Sequence, residues 1–405
     1  MLDKKELSRR EFLWFAGLAG TGSLLLPGGH LMAAGTEGET ETAQLPVRPF
    51  GKTGVNVSNL GLGTMFDTIS NQLLLRQTLK WGVTYWDTAD CYEGGNSEIG
   101  IGQYFKKNPE ARQRVFLVTK SDRRDPKGLS ELLDRSLQRM NTNYIDLYFV
   151  HGISGIDEIN NETKTWAERA KSQGKIKFFG FSAHRNMEDC MVKAAKLGWI
   201  DGIMVSYNFR LMRTDKMRAA VEACSNAGIG LTAMKTQGGG QLRVESETEL
   251  EVAGRFMKKG FTDYQARIKA IWEDPNIACV CSQMPSMTVL MSNVAAALDK
   301  TKITASDLDL LDRYAAETAH GYCAGCTSIC EPALAGQIPV GDIMRYLMYH
   351  NSYGDAERAR SCFAEIPQQI RARLTSFDYS RAERLCPQKL RIARLMEHAV
   401  EVLGA

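Results

Sequence analysis

From residue 56 onward the chain alternates short, continuous apolar runs with longer stretches in which apolar residues recur every three or four positions. The short runs are 60–65, 84–88, 115–120, 144–151, 178–182, 202–208, 230–235 and 277–282. They are rich in Val, Ile, Phe and Tyr, as strands buried on both faces should be. Between them, 128–140 sets Leu129, Leu132, Leu133 and Leu137 on one helical face, and 187–197 and 217–227 repeat the pattern. Strands alternating with helices imply parallel βαβ units, and eight such units close a (β/α)₈ barrel of the TIM type. An open doubly wound sheet is the rival, but Gly61-Leu62-Gly63 lacks the third glycine of its phosphate-binding turn. The connection 236–276 carries Gly238-Gly239-Gly240 and a charged stretch, and predicts an inserted loop over the barrel mouth. Gly51-Lys52-Thr53-Gly54 within 48–56 predicts a small hairpin ahead of the barrel. Helical patterns at 340–349, 356–363 and 388–403 predict a small, mostly helical domain over 301–405, after a barrel spanning 46–300.

Composition changes this picture little. Hydrophobic residues make up 44% and charged residues 24% of the 405, as in ordinary globular chains. A net charge of +3, with no basic stripe interleaved with aromatics, argues against a nucleic-acid partner. The N-terminus adds more. Ser8-Arg9-Arg10-Glu11-Phe12-Leu13 precedes an apolar run over 12–26 and the small residues Ala33-Ala34-Gly35. Residues 1–35 thus resemble a twin-arginine export signal, with a packed N-terminal helix as the alternative. The run is shorter than the ~20 apolar residues that span a bilayer, so no stable membrane anchor is expected. The resemblance implies the twin-arginine export machinery as a partner, a periplasmic destination, and a chain that crosses already folded.

The strand ends carry the candidate chemistry, because active sites of such barrels lie at the C-terminal ends of the strands. The second run ends at Asp87, with Tyr92 shortly after. The third ends at Lys120, the fourth at His151, and the fifth leads into Ser182-Ala183-His184. An acid, a phenol, an ammonium and an imidazole on one face suit carbonyl reduction. Hydride reaching a carbonyl carbon leaves an alkoxide that needs a proton. A tyrosine can give it, although a free phenol has a pKa of about 10. A close ammonium is expected to lower that value, an aspartate to hold the ammonium, and an imidazole N–H to orient the carbonyl oxygen. Tyr92, Lys120, Asp87 and His151 are assigned these roles.

At these residues the chain resembles the aldo/keto reductase family. Asp87-Thr88-Ala89-Asp90-Cys91-Tyr92 followed by Glu93-Gly94-Gly95-Asn96-Ser97-Glu98 is similar to its signature, as are 115–120 and 144–151. The segment 174–182 is similar to the family's approach to the nicotinamide, and the resemblance covers about 46–299. It implies an NAD(P)H cofactor and a small carbonyl or alcohol substrate. It implies contact of Ser182 with the nicotinamide carboxamide. Ala183 stands where the family has Asn, and Met204 where it often has Gln. Tyr207, Asn208, Lys235, Ser282 and Asn293 are the further candidate cofactor residues, Lys235 facing either cofactor phosphate or substrate. Members that prefer NADP place Lys and Arg after the eighth strand. Here the sequence reads Ser282-Gln283-Met284-Pro285-Ser286, so the choice between NAD and NADP stays open.

Four of the ten cysteines gather late in the chain. Cys323, Cys326 and Cys330 form C-x₂-C-x₃-C, and Cys386-Pro387 follows. They resemble a ferredoxin pattern that has lost three ligands of its second repeat, leaving four for one [4Fe–4S] cluster. A Cys₄ zinc site, disulfides and unligated thiols are the alternatives. Cys279 and Cys281 read as core, and Cys91, Cys190, Cys224 and Cys362 as isolated. Two functions follow. One is a reductase or dehydrogenase with an auxiliary cluster and an electron-transfer partner. The other is a non-catalytic nicotinamide-binding redox sensor.

Overall fold

The computed structural model describes residues 45–404 except 241 and 243–245, so the twin-arginine-like segment lies outside the described residues. A hairpin, β1 (Val47–Pro49) and β2 (Asn56–Ser58), precedes the barrel. Its turn carries Phe50, which is fully buried and closes the barrel floor against Phe116 at 5.5 Å between ring centroids. Gly230 has to be glycine beneath it, since a Cβ there would stand 2.5 Å from the Phe50 ring.

Eight parallel strands close the barrel: β3 (Leu60–Gly63), β4 (Tyr85–Asp87), β5 (Phe116–Ser121), β6 (Ile145–Ile153), β7 (Ile176–Ala183), β8 (Gly202–Ser206), β9 (Gly230–Met234) and β10 (Ile277–Gln283). Each strand pairs with its neighbours in sequence, and β10 returns to β3. The interior holds Tyr85, Phe116, Val118, Leu147, Phe149, Met204, Cys279 and Cys281. A larger apolar layer joins the barrel to its outer helices. The helix Pro126–Arg139 shows why these segments coil. Asp125 caps it by accepting from Gly128 N at 2.8 Å, and Leu129 and Leu133 bury its inner face. Burying such a leucine contributes about 1.5–3 kcal/mol.

The connection between β9 and β10 is more ordered than the expected loop. It contains two helices, Glu247–Lys258 and Asp263–Trp272, capped by Ser246 and Thr262. Val252, Phe256, Phe261 and Ala266 pack with Leu310, Leu311 and Tyr314 of the helix Ala305–Glu317, which makes the connection a bracket beside the mouth.

The C-terminal helices have their own core, built from Ile343, Leu347, Phe363, Met396 and Leu403 among others. The last helix starts at Ile392, later than its apolar pattern, because Lys389 takes a left-handed turn (φ 52°) just after Pro387. This domain docks onto the barrel mouth. Asn186 N donates to the Gly325 carbonyl at 3.0 Å, and Arg185 spans both oxygens of Asp342 at 2.8 and 3.0 Å. Gly325 lies so close that a Cβ would come within 2.2 Å of the His184 carbonyl oxygen. Among the described residues no helix is long and apolar enough to cross a membrane.

Candidate active site

Asp87 ends β4, Lys120 lies in β5 and His151 in β6, while Tyr92 opens a short 3₁₀ turn after β4. The loop between Asp87 and Tyr92 is held down by Thr88 N donating to Val118 O at 2.9 Å and Asp90 N to Lys120 O at 3.2 Å. That anchoring brings the phenol back over the strand ends. Lys120 Nζ donates to Asp87 Oδ1 at 2.6 Å, to the Thr88 carbonyl at 2.6 Å and to the Tyr92 hydroxyl at 3.5 Å. Both members of the ion pair are almost wholly buried. Burial works against the Lys120 charge, but the Asp87 carboxylate outweighs it and holds the ammonium pKa above its ordinary value. For Tyr92 the balance differs from the sequence expectation. Burial pushes the phenol well up and Lys120 draws it only part of the way back, so Tyr92 is held as a proton carrier.

His151 faces Tyr92 edge-on, with ring centroids 5.8 Å apart. Its Nδ1 lies 2.8 Å from Asp122 Oδ1 and 3.8 Å from Cys91 Sγ. Its carbonyl accepts from Arg124 Nη2 at 2.7 Å. Against the cost of burial, the hydrogen bond and charge of His151 hold the Asp122 carboxyl down to about 2. Sequence reasoning missed Asp122 and left Cys91 isolated. The available signal was that each sits next to, or two residues from, a residue already chosen.

The remaining sequence candidates divide. Ser182 is buried at the end of β7, its Oγ accepting from Gly152 N at 2.9 Å. Lys235 stands just past β9 with left-handed backbone (φ 53°), its Nζ 5.0 Å from the centre of the Tyr349 ring. Ser282 and Asn293 bond to each other, Nδ2 donating to Oγ at 3.0 Å. Asn208 Nδ2 donates to the Lys235 carbonyl at 3.1 Å and to the Tyr322 hydroxyl at 3.0 Å, so it fastens β9 to the C-terminal domain. Tyr207 is turned away from the mouth. β8 ends at Ser206, and the Tyr207 ring enters the layer between barrel and helices, where its hydroxyl donates to Asp274 Oδ2 at 2.6 Å.

Between the ends of β7–β9 and the C-terminal domain runs an open cleft of about 800 Å³ including its mouth. His184, Arg185, Ser206 and Lys235 line it from the barrel, Cys323 and Arg345 from the domain, and among the described residues none of the lining is acidic. Burial and the surrounding cations lower His184, and burial with Arg345 and Arg358 lowers Lys235 to about 7. Apart from Lys235, sequence reasoning assigned none of the cleft's cations; most of the cleft's lining comes from residues 321–352 and 395, far from the strand ends in sequence.

Cys323 and Cys326 precede the helix Thr327–Ala333, Cys330 lies within it, and Cys386 follows the helix Ser380–Leu385 packed beside it. The four sulfurs are near enough to repel one another as thiolates, which adds to the burial that pushes Cys323 and Cys330 up to about 12. None of the ten cysteines is in a disulfide. Among the described residues no three of these sulfurs lie within 4.8 Å of one another. A zinc ion with Zn–S bonds of about 2.3 Å needs tetrahedral edges of ~3.8 Å, so the set is spread wider than a single ion requires.

A closed eight-stranded barrel with this acid–phenol–ammonium–imidazole group at its strand ends defines a class, and the comparisons agree. The chain belongs to the aldo/keto reductase family, whose profile matches residues 59–302. An uncharacterized oxidoreductase of Bacillus subtilis is 33% identical over 153 residues, covering 34% of this chain and 49% of its own length. An aldo-keto reductase of Schizosaccharomyces pombe named for NADP(+) is 28% identical over 220 residues, 49% of this chain and 63% of its own. The chain thus spans about half to two thirds of these curated relatives. Among solved structures, an aldo-keto reductase from Bacillus halodurans superposes with a TM-score of 0.55 at 23% identity, over 67% of this chain and 96% of its own. A thermostable aldo-keto reductase solved with the inhibitor epalrestat gives 0.55 at 26% identity, over 66% of this chain and 99% of its own.

Proposed function

We propose that this protein is an NAD(P)H-dependent oxidoreductase acting on a small carbonyl or alcohol substrate. The observation that carries the reading is the buried Lys120–Asp87 pair, 2.6 Å long, set against the Tyr92 hydroxyl. When bound, the nicotinamide supplies or accepts the hydride. The chain's own residues handle the proton and the charge. The Tyr92 hydroxyl donates its proton to the oxygen that becomes the alkoxide. Lys120, kept charged by Asp87, stabilises the phenolate left behind. His151 orients the substrate oxygen from across the mouth. Burial keeps Tyr92 protonated at rest, the form that reduction needs at its start.

The residues present fit a dinucleotide. A cleft at the strand ends that is lined by Arg185, Lys235 and Arg345 and, among the described residues, by no acid suits a pyrophosphate. Ser182 and Lys235 are the chain's groups for the nicotinamide half, and Ser282 and Asn293 for the adenosine half. No Lys or Arg stands in 282–293 to meet a 2′-phosphate, which favours NAD.

The finer reading is that Cys323, Cys326, Cys330 and Cys386 hold a [4Fe–4S] cluster. It is favoured by the C-x₂-C-x₃-C and C-P spacing and by the packing of the helix Thr327–Ala333 against Ser380–Leu385, which puts Cys386 near the other three. A cluster supplies one-electron storage when bound, and the shared cleft offers a short path towards an external electron partner. Residues 1–35 favour folded export to the periplasm, which a chain carrying preassembled cofactors requires.

Anaerobic purification followed by metal and sulfide analysis tests the cluster. About four irons and four sulfides per chain are expected, with broad visible absorption bleached by dithionite and lost in Cys386→Ser. A colourless, iron-free protein prepared this way overturns it. Turnover over a panel of aldehydes, ketones and alcohols tests the reductase reading. Cofactor binding with no turnover on any of them favours the redox-sensor alternative.

A further inference from the structure

Cys91, Asp122 and His151 present a thiol, a carboxylate and an imidazole to one point at the lip of the barrel, on the side away from the cleft. The three ligand atoms all lie within 4.8 Å of one another, and no other such trio exists among the described residues. We propose that these three side chains form a binding site for one divalent cation of the zinc class.

The distances suit such an ion. Bonds of about 2.3 Å to sulfur and 2.0–2.2 Å to nitrogen and oxygen give tetrahedral edges of ~3.5 Å for S···N and ~3.3 Å for N···O. The site shows 3.8 Å and 2.8 Å, each within about half an ångström of those edges. One carboxylate with one thiol and one imidazole is a poor set for magnesium or calcium, which take oxygen ligands. It is a good set for zinc, with a fourth position left to water. Solvent reaches it, since half of the Asp122 side chain and part of the His151 ring are exposed. The field is favourable too. Asp90 Oδ1 is buried close by without a hydrogen-bond partner among the described residues. Of the cations whose charge reaches these groups, Arg124 is committed to Glu158 and to the carbonyls of Asp122 and His151, and Lys120 to Asp87.

Binding displaces protons in a defined way. The Cys91 S–H bond gives way to a metal–sulfur bond, and its proton leaves to solvent. In the neutral His151 ring the proton that Nδ1 donates to Asp122 moves to Nε2, and the freed Nδ1 lone pair goes to the ion. If the ring starts as imidazolium, a second proton is released. The hydrogen bond between Asp122 and His151 is replaced by two bonds to a common ion. Resting on the reductase reading, this also ties down the imidazole that orients the substrate oxygen, so the ion slows turnover.

The test uses the full chain with its C-terminal cysteines loaded as isolated. Cobalt(II) is titrated under anaerobic conditions while the thiolate-to-cobalt charge-transfer band is followed. One equivalent is expected, with proton release, and the band disappears in Cys91→Ser. Asp122→Asn, which keeps the thiol, weakens binding at least tenfold. Far-UV circular dichroism confirms that both variants fold. Binding unchanged in Cys91→Ser, or a band that follows Cys323→Ser instead, overturns the site. The titration needs no turnover, so it stands even if no substrate is found. A separate zinc titration of activity reads the inhibition. Zinc inhibition of wild type that persists at equal concentration in Cys91→Ser overturns the regulatory half of the proposal.

Discussion

The barrel mouth has two halves built on opposite electrostatic plans. On the β4–β6 side each cation has an acid. Lys120 meets Asp87 at 2.6 Å, Arg135 meets Asp90 at 2.8 Å, and His151 meets Asp122 at 2.8 Å. On the β7–β9 side Lys235 faces a cleft whose lining holds no acid among the described residues, and Arg185 and Arg345 share the single carboxylate of Asp342. The first half is complete without a ligand and is set to move a proton. The second leaves Lys235 without a carboxylate in the described lining and two arginines with one carboxylate, Asp342, between them, and burying a charge is costly unless it is paired. Its deficit is the shape of a missing anion, and a dinucleotide's phosphates are such a group.

The comparison can be broken in order of expected effect. Tyr92→Phe keeps the ring and removes the proton. It should lower kcat about 10²–10⁴-fold while cofactor binding, followed by fluorescence, stays within a factor of two or three. Equal activity in the variant would show that the phenol is not the acid. Lys120→Met leaves the Asp87 carboxylate buried and alone, and should cost about 3–5 kcal/mol in denaturant unfolding, with activity lost. Replacing both, Asp87→Leu with Lys120→Met, should recover much of the stability and none of the activity.

On the other side, Lys235→Met should weaken cofactor binding about tenfold at pH 6 and much less at pH 9. The sign follows from the lowered pKa. Lys235 at about 7 is cationic below that value, and an anion that needs the ammonium binds with proton uptake above it. Wild-type affinity should therefore fall as pH rises through 7, and the variant's profile should be flatter. The folded pKa also lies below the unfolded value of about 10.4, so the ligand-free protein gains stability as pH rises between the two. Lys235→Met should remove that rise, readable in thermal melts at pH 6 and 9. The smallest effect is expected at Arg185→Met, which removes the partly exposed pair to Asp342 and should cost about 1 kcal/mol of domain docking, seen as earlier proteolysis between the two cores.

Much of this was legible before any coordinates. Parallel strands buried on both faces read as continuous apolar runs, and Asp87, Lys120 and His151 sit at or near the ends of theirs. Each was found from its own strand. What failed needed information from elsewhere in the fold. The apolar run over 202–208 carries Tyr207 past the end of β8. Once the strand stops at Ser206, the ring follows the packing layer instead. Cys91, Asp122 and His151 meet only because three strand-end loops converge. The connection before β10 read as a loop because Gly238-Gly239-Gly240 and a charged stretch dominate it, and the helix-capping residues Ser246 and Thr262 went unused. The cleft's far wall comes from a domain whose docking depends on contacts such as Gly325 against His184, which leave no periodic trace.

Asp342 serves two arginines at once, Arg185 of the barrel and Arg345 of the cleft wall, the latter at 2.7 Å. An anion in the cleft gives Arg345 a second partner and leaves Arg185 a larger share of Asp342. Filling the cleft and clasping the domain then favour each other, and thermodynamic reciprocity makes the effect equal in both directions. A tightly clasped domain slows the escape of what lies beneath it, so the residence time of an anion in the cleft becomes a property of a carboxylate outside its lining.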